Sequence, residues 1–504
     1  MPNLHGADEQ SSFLFINACI IIAVSAFIYR KSRQIEAELA AIPTIGWTFP
    51  PLSYITAIIY TFDANRLIHE GYVKYPEGVY KIAGLTGWNI FVRDKRLIEE
   101  MRMHSNNELS LGDAAIDLVT TSHTFSLDSD PLHNTYKREL VEMRLTRTLI
   151  DLVPLAHEEI TQYFAAQEPL LGDNKEWATF SPLDMSVDIT TLVWSRVLGG
   201  LSLSQNQKFI ASFRSLLRIT LSMPLLARCL PRTLVRLIYR MLFRLKISAH
   251  LKSLLDGKDV SESRSLPEGQ NICSWMLLDE FKPSSIDVLE MIEVLALSGV
   301  SSLTSVFAEI LHHLAKHRNY NEFLHEEVRK ITRMDGWSRN AIEEMSFVDS
   351  FVKESMRREN IRSASMMRKV VKPFAFSNGL QIPVGTIISV PSRSVHMDPE
   401  RYSRPNDFEG FRFVTYEENL PTTSIQDMLI STNSDFFVWG HGREACPGRF
   451  FAATVLKLLV AYIVSHYDVQ LPRGKERSRK PRWIEGNLVS DFRSKIMLRK
   501  RQRH

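Results

Sequence analysis

Near its C-terminus the chain reads Trp439-Gly440-His441-Gly442-Arg443-Glu444-Ala445-Cys446-Pro447-Gly448-Arg449-Phe450, and this stretch decides the fold. Cys446 is framed by glycines, which lack a Cβ and let the backbone pass close to a flat ligand. Pro447 fixes the exit of the turn, and the apolar segment Phe451 to Val464 predicts a helix directly after it. Amide dipoles at a helix N-terminus favour a thiolate, so Cys446 is predicted to bind a metal. An inert cysteine before a helix is the alternative that the spacing alone leaves open.

Two further signals precede this cysteine. Glu354 and Arg357 are three residues apart, so they share one helix face and can pair. The run Pro405-Asn406-Asp407-Phe408-Glu409-Gly410-Phe411-Arg412-Phe413 lies between that pair and Cys446. In this order the three motifs resemble those of cytochrome P450 enzymes, in the form common in fungal microsomal members. The resemblance covers nearly all of the chain, and its nearest group includes ent-kaurene oxidases and other terpenoid-oxidising enzymes.

The cysteine loop departs from the usual order of that family, Phe-Gly-x-Gly-x-basic-x-Cys-x-Gly, at two positions. Trp439 replaces the phenylalanine, which is a mild aromatic exchange. Glu444 stands where a basic residue usually faces a haem propionate. Arg443, one position earlier, is the alternative source of that positive charge.

The resemblance implies a haem cofactor, heme b (iron protoporphyrin IX), with Cys446 as its axial ligand and only protein metal ligand. Thiolate ligation pushes electron density onto the iron and favours O–O cleavage. Buried haem carboxylates need cationic partners, and Arg368 is the expected one, whereas His133 and Lys137 only lie near the usual Trp-x-x-x-Arg. His441 is expected to be a surface or turn residue. The residues expected to contact the cofactor are Cys446, Arg443, Arg368, Trp439, Gly442, Gly448, Gly299, His133 and Lys137. The resemblance also implies a buried structural triad of Glu354, Arg357 and Arg412.

A long helix over residues 284–317 is expected to cross the distal face of the haem. Its middle reads Leu297-Ser298-Gly299-Val300-Ser301-Ser302-Leu303-Thr304, where the family usually has Ala/Gly-Gly-x-acid-Thr. By resemblance Ser301 takes the acid position and Ser302 the threonine position, and Thr304 is the second candidate if the register shifts. With no carboxylate, protons must travel through hydroxyls and water. The catalytic candidates are therefore Ser301, Ser302 and Thr304, and helix packing by small residues is the alternative.

Composition excludes several classes of protein. The chain has 504 residues with 44% hydrophobic content, enough for a large core. A net charge of +4 does not indicate a nucleic-acid partner. The four cysteines are scattered, at Cys19, Cys229, Cys273 and Cys446, which argues against a disulfide framework and against structural zinc. The catalytic part is therefore expected in a reducing compartment.

The N-terminus carries the signals of a membrane anchor. Phe13 to Tyr29 is an apolar run near the lower length limit for a membrane span. Arg30, Lys31 and Arg33 follow it, which places the C-terminal side in the cytosol. We expect a lumenal segment over 1–11, a transmembrane anchor over 12–30, a proline-containing linker over 31–52 and a catalytic domain over 53–504. The expected location is the endoplasmic reticulum membrane, single-pass, with the catalytic domain facing the cytosol. A cleaved signal peptide and a buried helix are the alternatives.

Hydrophobic periodicity predicts a mainly α fold with a small β subdomain. The resemblance implies the cytochrome P450 fold, behind a single N-terminal transmembrane helix. Helices are predicted over 146–168, 205–220, 284–317 and 448–466. Strands are predicted at Val79 to Ala83, Asn89 to Val92, Lys369 to Phe376 and Thr386 to Val390, with a turn at Ser377-Asn378-Gly379. Arginines at every fourth position from Arg228 to Arg244 predict a basic helix face, for a membrane surface or for solvent. Asn107 to Thr124 is a predicted lid, and Ile361 to Met367 a predicted apolar wall for substrate.

These features predict a haem-thiolate monooxygenase that inserts one oxygen atom of O2 into a lipophilic substrate, a terpenoid or mixed terpenoid intermediate of fungal secondary metabolism. By resemblance, electrons come from NADPH-cytochrome P450 reductase, since the chain has no dinucleotide fingerprint of its own. One alternative is a peroxide-using or isomerase-type haem-thiolate enzyme, suggested by the missing acid and threonine. The other is a haem-free binding protein of the same fold, suggested only by Glu444.

Overall fold

The computed structural model describes residues 37–49, 52–76, 78–85, 87–118, 140–171, 176–226, 271–278, 295–417, 420–473, 482–489 and 491–502, with a few positions between 237 and 292. Helices dominate this part of the chain, and the strands form small sheets. The predicted architecture, mainly helical with a small β part, is therefore confirmed. The predicted anchor over 12–30 lies outside the described residues, as do the arginines of the basic stripe.

The α-helices, numbered in chain order, share a pattern of apolar residues turned toward neighbouring helices. They are α1 Leu52–Lys74, α2 Lys95–Met103, α3 Leu111–Leu118, α4 Leu149–Ala166, α5 Glu168–Leu171, α6 Pro182–Gly199, α7 Leu201–Ser204, α8 Gln207–Leu226, α9 Ile272–Leu278, α10 Ser301–Lys316, α11 Asn321–Asp335, α12 Arg339–Glu344, α13 Ser346–Arg358, α14 Ser392–His396 and α15 Arg449–His466. Wider π-helical turns cover Leu140–Leu145 and Leu295–Val300, and 3₁₀ turns cover Arg318–Tyr320 and Gly442–Glu444.

The strands are short and lie mostly at one side of the helices. They are β1 Thr44–Ile45, β2 Val79–Gly84, β3 Gly87–Val92, β4 Leu109–Ser110, β5 Ala178–Phe180, β6 Ser365–Val370, β7 Phe374–Ala375, β8 Gln381–Ile382, β9 Ile387–Val390, β10 Thr415–Glu417, β11 Leu420–Thr422, β12 Tyr467–Gln470, β13 Arg482–Ile484, β14 Asn487–Val489 and β15 Ile496–Lys500. The largest sheet has the order β1-β2-β3-β9-β6-β4, and a second has the order β12-β15-β5. Within the largest sheet β1–β2 and β3–β9 are parallel pairs and the other pairs are antiparallel.

The main hydrophobic core joins the helices that carry the cysteine loop and the predicted distal segment. Side chains of α4, α6, α10 and α15 pack in it, including Phe307, Trp194 and Phe451. Trp194 and Phe451 meet edge to face at 6.0 Å between ring centroids, an arrangement that aromatic pairs favour. A second core lies against the large sheet around Ile90, Val370 and Phe437. The loop before Cys446 therefore spans both cores, because Phe437 belongs to one and Trp439 to the other.

Most predicted elements lie where the periodicity placed them. The helices over 146–168, 205–220 and 448–466 correspond to α4, α8 and α15, and the strand predictions near 79, 89 and 386 correspond to β2, β3 and β9. The predicted turn at Ser377-Asn378-Gly379 joins β7 to β8, with Gly379 at φ +82°. The single strand over 369–376 is wrong. β6 begins earlier, at Ser365, and ends at Val370, because Pro373 has no N–H for a ladder and separates it from β7.

One helix in the described part of the chain, α15, is long and apolar enough to cross a membrane. Most of it is buried inside the protein, and it follows directly after the cysteine loop. A helix that is apolar on all sides also fits the centre of a large core. α15 is therefore the core helix that presents Cys446.

Candidate active site

The cysteine loop is held by its own backbone. The Cys446 N–H donates to the Trp439 carbonyl at 2.7 Å, and the Ala445 N–H donates to the Gly442 carbonyl at 3.0 Å. Gly440 and Gly442 have φ values of +74° and +78°, in the left-handed region that favours glycine. The Trp439 indole N–H donates to the Leu429 carbonyl at 2.7 Å, which gives this buried ring a polar anchor. The loop therefore has one backbone path, and the Cys446 side chain is exposed at the start of α15.

The two glycines beside Cys446 are needed for different reasons. A Cβ on Gly442 would come within 2.1 Å of Cγ of Arg102, so this glycine lets α2 approach the loop. A Cβ on Gly448 would lie 4.0 Å from Sγ of Cys446, with no closer neighbour than Val141 at 3.8 Å. The Cys446 side chain is thus exposed just before an otherwise buried helix. These residues fit a flat cofactor with one sulfur ligand, the group that the sequence implies.

Glu444, the acidic exception in the loop, has a partner. The Asn106 amide donates to Oε1 of Glu444 at 3.0 Å, from the segment just after α2. His441 lies 3.1 Å from Glu99 on α2. Burial lowers the pKa of His441, although the Glu99 carboxylate opposes this. The α2 segment therefore takes up both polar side chains, and the expectation of His441 as a turn residue agrees with its place beside the 3₁₀ turn.

The structure brings the predicted triad together and saturates it with hydrogen bonds. Arg357 binds Glu354 with two N–H groups, Nε to Oε2 at 2.7 Å and Nη2 to Oε1 at 2.8 Å. Arg412 donates to Oε2 at 3.1 Å, and the Glu409 backbone N–H donates to Oε1 at 3.1 Å. Each carboxylate oxygen thus accepts two bonds, at a site where Glu354 and Arg357 are 0% exposed. Such a bidentate, fully bonded ion pair is a rigid structural element.

The remaining donors of Arg357 fasten α13 to the chain that leads to the cysteine loop. They bind the carbonyls of His396 and Pro405, the latter at 3.0 Å. The Phe437 N–H then donates to Nε2 of the buried His396 ring at 3.0 Å. The triad is therefore two hydrogen bonds away from the backbone just before Trp439. Triad and cysteine loop form one connected network.

α13 also binds the loop and α15 through Asp349. One carboxylate oxygen accepts the Leu429 N–H at 2.7 Å, and the other accepts a bond from Nζ of Lys457 at 3.0 Å. Leu429 is the residue whose carbonyl receives the Trp439 indole N–H. Sequence reasoning missed both Asp349 and Lys457. Lys457 inside the strongly apolar α15 was the available signal, because buried charges are usually paired.

The predicted distal segment is a π-helical turn, Leu295–Val300, running into α10. Single π-turns inside helices often mark functional sites. Gly299 is exposed, and no residue of the described chain lies within 4 Å of the position that a Cβ would take there. Ser302 is three residues later on the same helix face and is partly buried. Ser301 is partly buried on another face, and its carbonyl accepts the Ser305 hydroxyl at 3.0 Å.

The Thr304 side chain differs from those of Ser301 and Ser302 because it is buried against α6. It is 0% exposed, and its hydroxyl binds the Val300 carbonyl at 2.7 Å and the Thr190 hydroxyl on α6 at 2.7 Å. Thr190 is itself buried and donates to the Ser186 carbonyl. This geometry gives Thr304 a packing role between α10 and α6. Of the three hydroxyl candidates, it is the one whose bonds hold two helices together.

The expected cationic partners of the cofactor differ in position. Arg368 is 4% exposed on β6, and its Nη1 donates to the Met367 carbonyl at 2.8 Å. Arg443 is exposed in the 3₁₀ turn of the loop. His133 and Lys137 lie outside the described residues, as do residues 119–124 of the predicted lid. Arg368 is thus the buried cation of the predicted set.

Comparison with known proteins agrees with this site. The family described as Cytochrome P450 matches residues 137–491 of the chain. Cytochrome P450 monooxygenase 151 of Postia placenta is 32% identical, covering 95% of this chain and 97% of its own length. Cytochrome P450 monooxygenase janQ of Penicillium janthinellum is 26% identical over 96% of this chain and 98% of its own length. Ent-kaurene oxidase of Gibberella intermedia is 24% identical over 92% of this chain and 89% of its own length. The chain therefore belongs to the cytochrome P450 monooxygenase family, whose members carry a haem.

Proposed function

We propose that this protein is a membrane-anchored haem-thiolate monooxygenase that inserts one oxygen atom of O2 into a lipophilic terpenoid or mixed terpenoid substrate. The observation that carries the proposal is the exposed Cys446 thiol at the start of the buried helix α15, with a glycine on its open side. Heme b is the cofactor that this single sulfur ligand fits. NADPH-cytochrome P450 reductase is the proposed electron donor.

The surroundings of Cys446 fix its backbone and favour a thiolate side chain. Its backbone N–H is bonded to Trp439, and the N-terminus of α15 places amide dipoles beside the sulfur. A thiolate-bound haem supplies activation of O2 and cleavage of the O–O bond. The hydrogen bonds through Leu429, Asp349 and Lys457 fix the position of the loop relative to α15. A fixed ligand matters because small displacements at a reacting centre lower the rate strongly.

Ser302 is the proposed residue for proton delivery, with Ser301 beside it. Ser302 shares a helix face with Gly299, whose missing side chain leaves room for a small molecule. A serine hydroxyl can donate one proton and accept another, so it can pass a proton from water. Thr304 is assigned to packing because its hydroxyl is occupied by Val300 and Thr190.

Arg368 is the proposed partner of a haem carboxylate, because it is buried on the strand that follows the triad helix. Arg443 is exposed in the loop and can supply a second positive charge toward solvent. Glu444 does not need to face a propionate, since Asn106 already binds its side chain. His133 and Lys137 stay as proposed partners from the sequence. This division explains how the loop tolerates an acidic residue at a usually basic position.

The substrate class rests on the chain's relatives and on the apolar wall. One relative is named an ent-kaurene oxidase, and ent-kaurene is a terpenoid hydrocarbon. Met366 is buried and Met367 partly buried on β6, and methionines line adaptable apolar sites. A role in fungal secondary metabolism is proposed on the same grounds. Terpenoid hydrocarbons are almost insoluble in water, so a membrane location suits this substrate.

The proposed location is the endoplasmic reticulum membrane, with residues 12–30 as a single-pass anchor and the catalytic domain in the cytosol. The described residues next to the anchor support this. Large apolar side chains are exposed at the start of the domain, namely Trp47, Phe49, Tyr54, Ile55, Ile58 and Phe62. On α1 they recur at three- and four-residue steps, so they form one face. An exposed aromatic and aliphatic face fits the interface of a bilayer.

The test is spectroscopic and then chemical. The full chain is expressed in yeast microsomes with a reductase, and the carbon monoxide difference spectrum of the reduced protein is recorded. A thiolate-bound haem gives a long-wavelength Soret band that histidine ligation does not give. Terpenoid products are then identified by mass spectrometry. Persistence of pigment, spectrum and products in Cys446→Ala contradicts the proposal.

A second function keeps the fold and changes the oxidant. No carboxylate stands at Ser301, where the family usually places an acid, and this favours a peroxide-using or isomerase-type enzyme. Turnover with NADPH and reductase supports the monooxygenase, whereas turnover with added peroxide alone supports the alternative. A haem-free binding protein of this fold is the third reading, and absence of the Soret band would support it.

A further inference from the structure

Arg362 has no acidic partner among the residues that the structure describes. It lies between α13 and β6, where the Ile361 carbonyl accepts the Leu488 N–H and the Ser363 N–H donates to Gly486 of the β13–β14 hairpin. Among the described residues its guanidinium makes one hydrogen bond, to Sδ of Met367 at 3.8 Å. No carboxylate of the described chain pairs with it. Burial lowers the pKa of Arg362, with no nearby negative charge to offset that effect.

Arg362 lines a small cavity together with other hydrogen-bond donors. Tyr60 comes from α1, Asn89 from β3 and Ser389 from β9, so four separate elements converge there. In the described part of the chain none of these three side chains makes a hydrogen bond to protein. Guanidinium, phenol, amide and hydroxyl groups all donate, so the set is complementary to oxygen acceptors.

Of the described residues that line this cavity, Glu485 is the one acidic side chain, and it is exposed in the turn of the hairpin. Burial is the main cause that raises the pKa of Tyr60, and the negative charge of Glu485 is the second cause. Glu485 makes no ion pair with Arg362 among the described contacts. Glu485 has φ +47° and Met366, beside Met367 on β6, has φ +52°. Non-glycine residues in this region are strained and gather at ligand sites. Two such residues thus flank the cavity wall.

The cavity has a volume of about 70 Å³, and Phe91 and Ile68 add apolar surface to it. This is room for a carboxylate-sized group but not for a terpenoid skeleton. Met367 lines the cavity and belongs to the Ile361–Met367 segment proposed as the substrate wall. A ligand with a polar end here would place its carbon skeleton along that wall.

We propose that Arg362, with Tyr60, Asn89 and Ser389, binds the carboxylate of a lipophilic acid that is the substrate or its oxidised form. A bidentate guanidinium–carboxylate bond satisfies Arg362, and the neighbouring donors satisfy the remaining lone pairs. The inference rests on the proposed monooxygenase function and narrows its substrate to an organic acid. Arg362 is then a specificity-determining residue, remote from the reacting carbon.

The test compares two partly buried arginines in the full, haem-loaded chain. Arg362→Met removes a charge that has no partner, so we expect the Tm without ligand to stay equal or rise by about 1–3 °C. Arg393→Met is the matched control. Arg393 donates to the Arg358 carbonyl at 2.6 Å and lies 3.5 Å from Glu359, so its loss should lower the Tm. A fall in Tm with Arg362→Met as large as with Arg393→Met assigns Arg362 to structure and overturns the proposal.

The ligand is tested with three probes on the same proteins. Cyclohexanecarboxylate should raise the Tm of the wild type by about 1–2 °C and leave Arg362→Met unchanged. Cyclohexanecarboxamide, which has the same shape without charge, should have no effect on either. Inorganic phosphate is the third probe. Equal effects of acid and amide, an effect of phosphate alone, or no effect of the acid each overturn the proposal.

The carbon monoxide spectrum of each variant separates this inference from the proposed function. Arg362→Met should keep the long-wavelength Soret band, because Arg362 does not touch the Cys446 loop. A protein that shows the band but no carboxylate effect disproves the acid site alone. A protein without the band in the wild type disproves the haem-thiolate proposal first.

Discussion

Arg357 and Arg362 are five positions apart, but their side chains differ in how many hydrogen bonds they make. Arg357 is fully buried and donates to both oxygens of Glu354 and to backbone carbonyls. Arg362 borders a cavity and contacts one sulfur atom among the described residues. A buried cation is tolerated when every donor is used and is costly when donors are left over. The saturated arginine therefore belongs to the scaffold, and the unsaturated one indicates a site that a ligand completes.

The same contrast separates the two faces of the proposed active site. On the side of the cysteine loop, polar groups of Glu354, Asp349 and His396 are bonded to named partners. On the distal side, Gly299 is exposed, Ser302 is partly buried, and no described residue lies within 4 Å of the position of a Cβ on Gly299. The first region holds a ligand atom still, and the second leaves room for chemistry. The following experiments test this difference between the two sides.

The largest effect is expected at Cys446, where a bonded backbone presents an exposed thiol. Cys446→Ala should abolish the thiolate Soret signature and substrate oxidation, because no other side chain in the loop can replace the sulfur. The measurement is the reduced carbon monoxide spectrum together with product analysis. Cys273→Ala is the matched control, since this cysteine is buried on α9. Loss of the signature in the control and not in Cys446→Ala would contradict the site.

The second effect tests the saturated network. Glu354→Gln should lower the free energy of unfolding by about 3–5 kcal/mol, because two buried guanidiniums lose their carboxylate. Urea unfolding followed by haem absorbance measures it. Glu326→Gln is the control, because Glu326 and Arg329 form the same three-residue pair on the exposed surface of α11. No measurable change is expected there, and equal losses in both variants would refute the role of burial.

The third effect concerns Lys353, a buried cation with fewer hydrogen bonds than Arg357. It is 1% exposed, donates to the Asp427 carbonyl at 2.8 Å and lies over the rings of Phe413 and Phe436. Burial lowers the pKa of Lys353 from 10.5 to about 8. Between these two values the unfolded chain binds more protons than the folded one, so stability should rise as the pH increases from 8 to 10.5.

Lys353→Met should remove this pH dependence, which amounts to on the order of 3 kcal/mol across the window. The measurement is urea unfolding of wild type and variant at several pH values between 7 and 10.5. A wild-type slope that the variant retains would show that other groups cause it.

The smallest effect is expected on the distal face. Ser302→Ala should lower the turnover rate by about 10-fold, because water can replace part of a hydroxyl relay. A changed solvent isotope effect on turnover is the accompanying signature. Thr304→Val should instead lower stability, by about 1–2 kcal/mol, since its bonded partner Thr190 is buried. Reversed results would place Thr304, and not Ser302, at the proton path.

Much of the scaffold could be predicted from local pattern. Helices such as α4, α8 and α15 repeat apolar residues every three or four positions, and that period reflects the face they bury. α6 was missed because it is buried on nearly all sides, so no polar stripe marks it. The long strand prediction at 369–376 failed because its apolar residues continue across Pro373, which ends the ladder at Val370.

The site was predictable where a residue's chemistry is rare and unpredictable where its partner is distant. A cysteine between glycines and the Glu354–Arg357 spacing carry their meaning within a few residues. The bond between Asn106 and Glu444 joins positions 338 residues apart, so no local pattern contains it. The hydrogen bond of the Thr304 side chain depends on where α6 lies. The single hydrogen bond of the Arg362 guanidinium among the described residues depends on the whole fold.

His396 makes the stability of the segment before the cysteine loop depend on acidic pH. Its Nε2 accepts the Phe437 N–H, so the ring must stay uncharged for the contact to exist. Burial and the nearby Arg357 and Arg393 guanidiniums hold the pKa of His396 well below its usual range. Below pH 6.5 only the unfolded chain takes up this proton, which removes about 1.4 kcal/mol of stability per pH unit until the ring itself titrates. Acid bleaching of the pigment should therefore begin with release of the Phe437 segment, ahead of melting of the helical core.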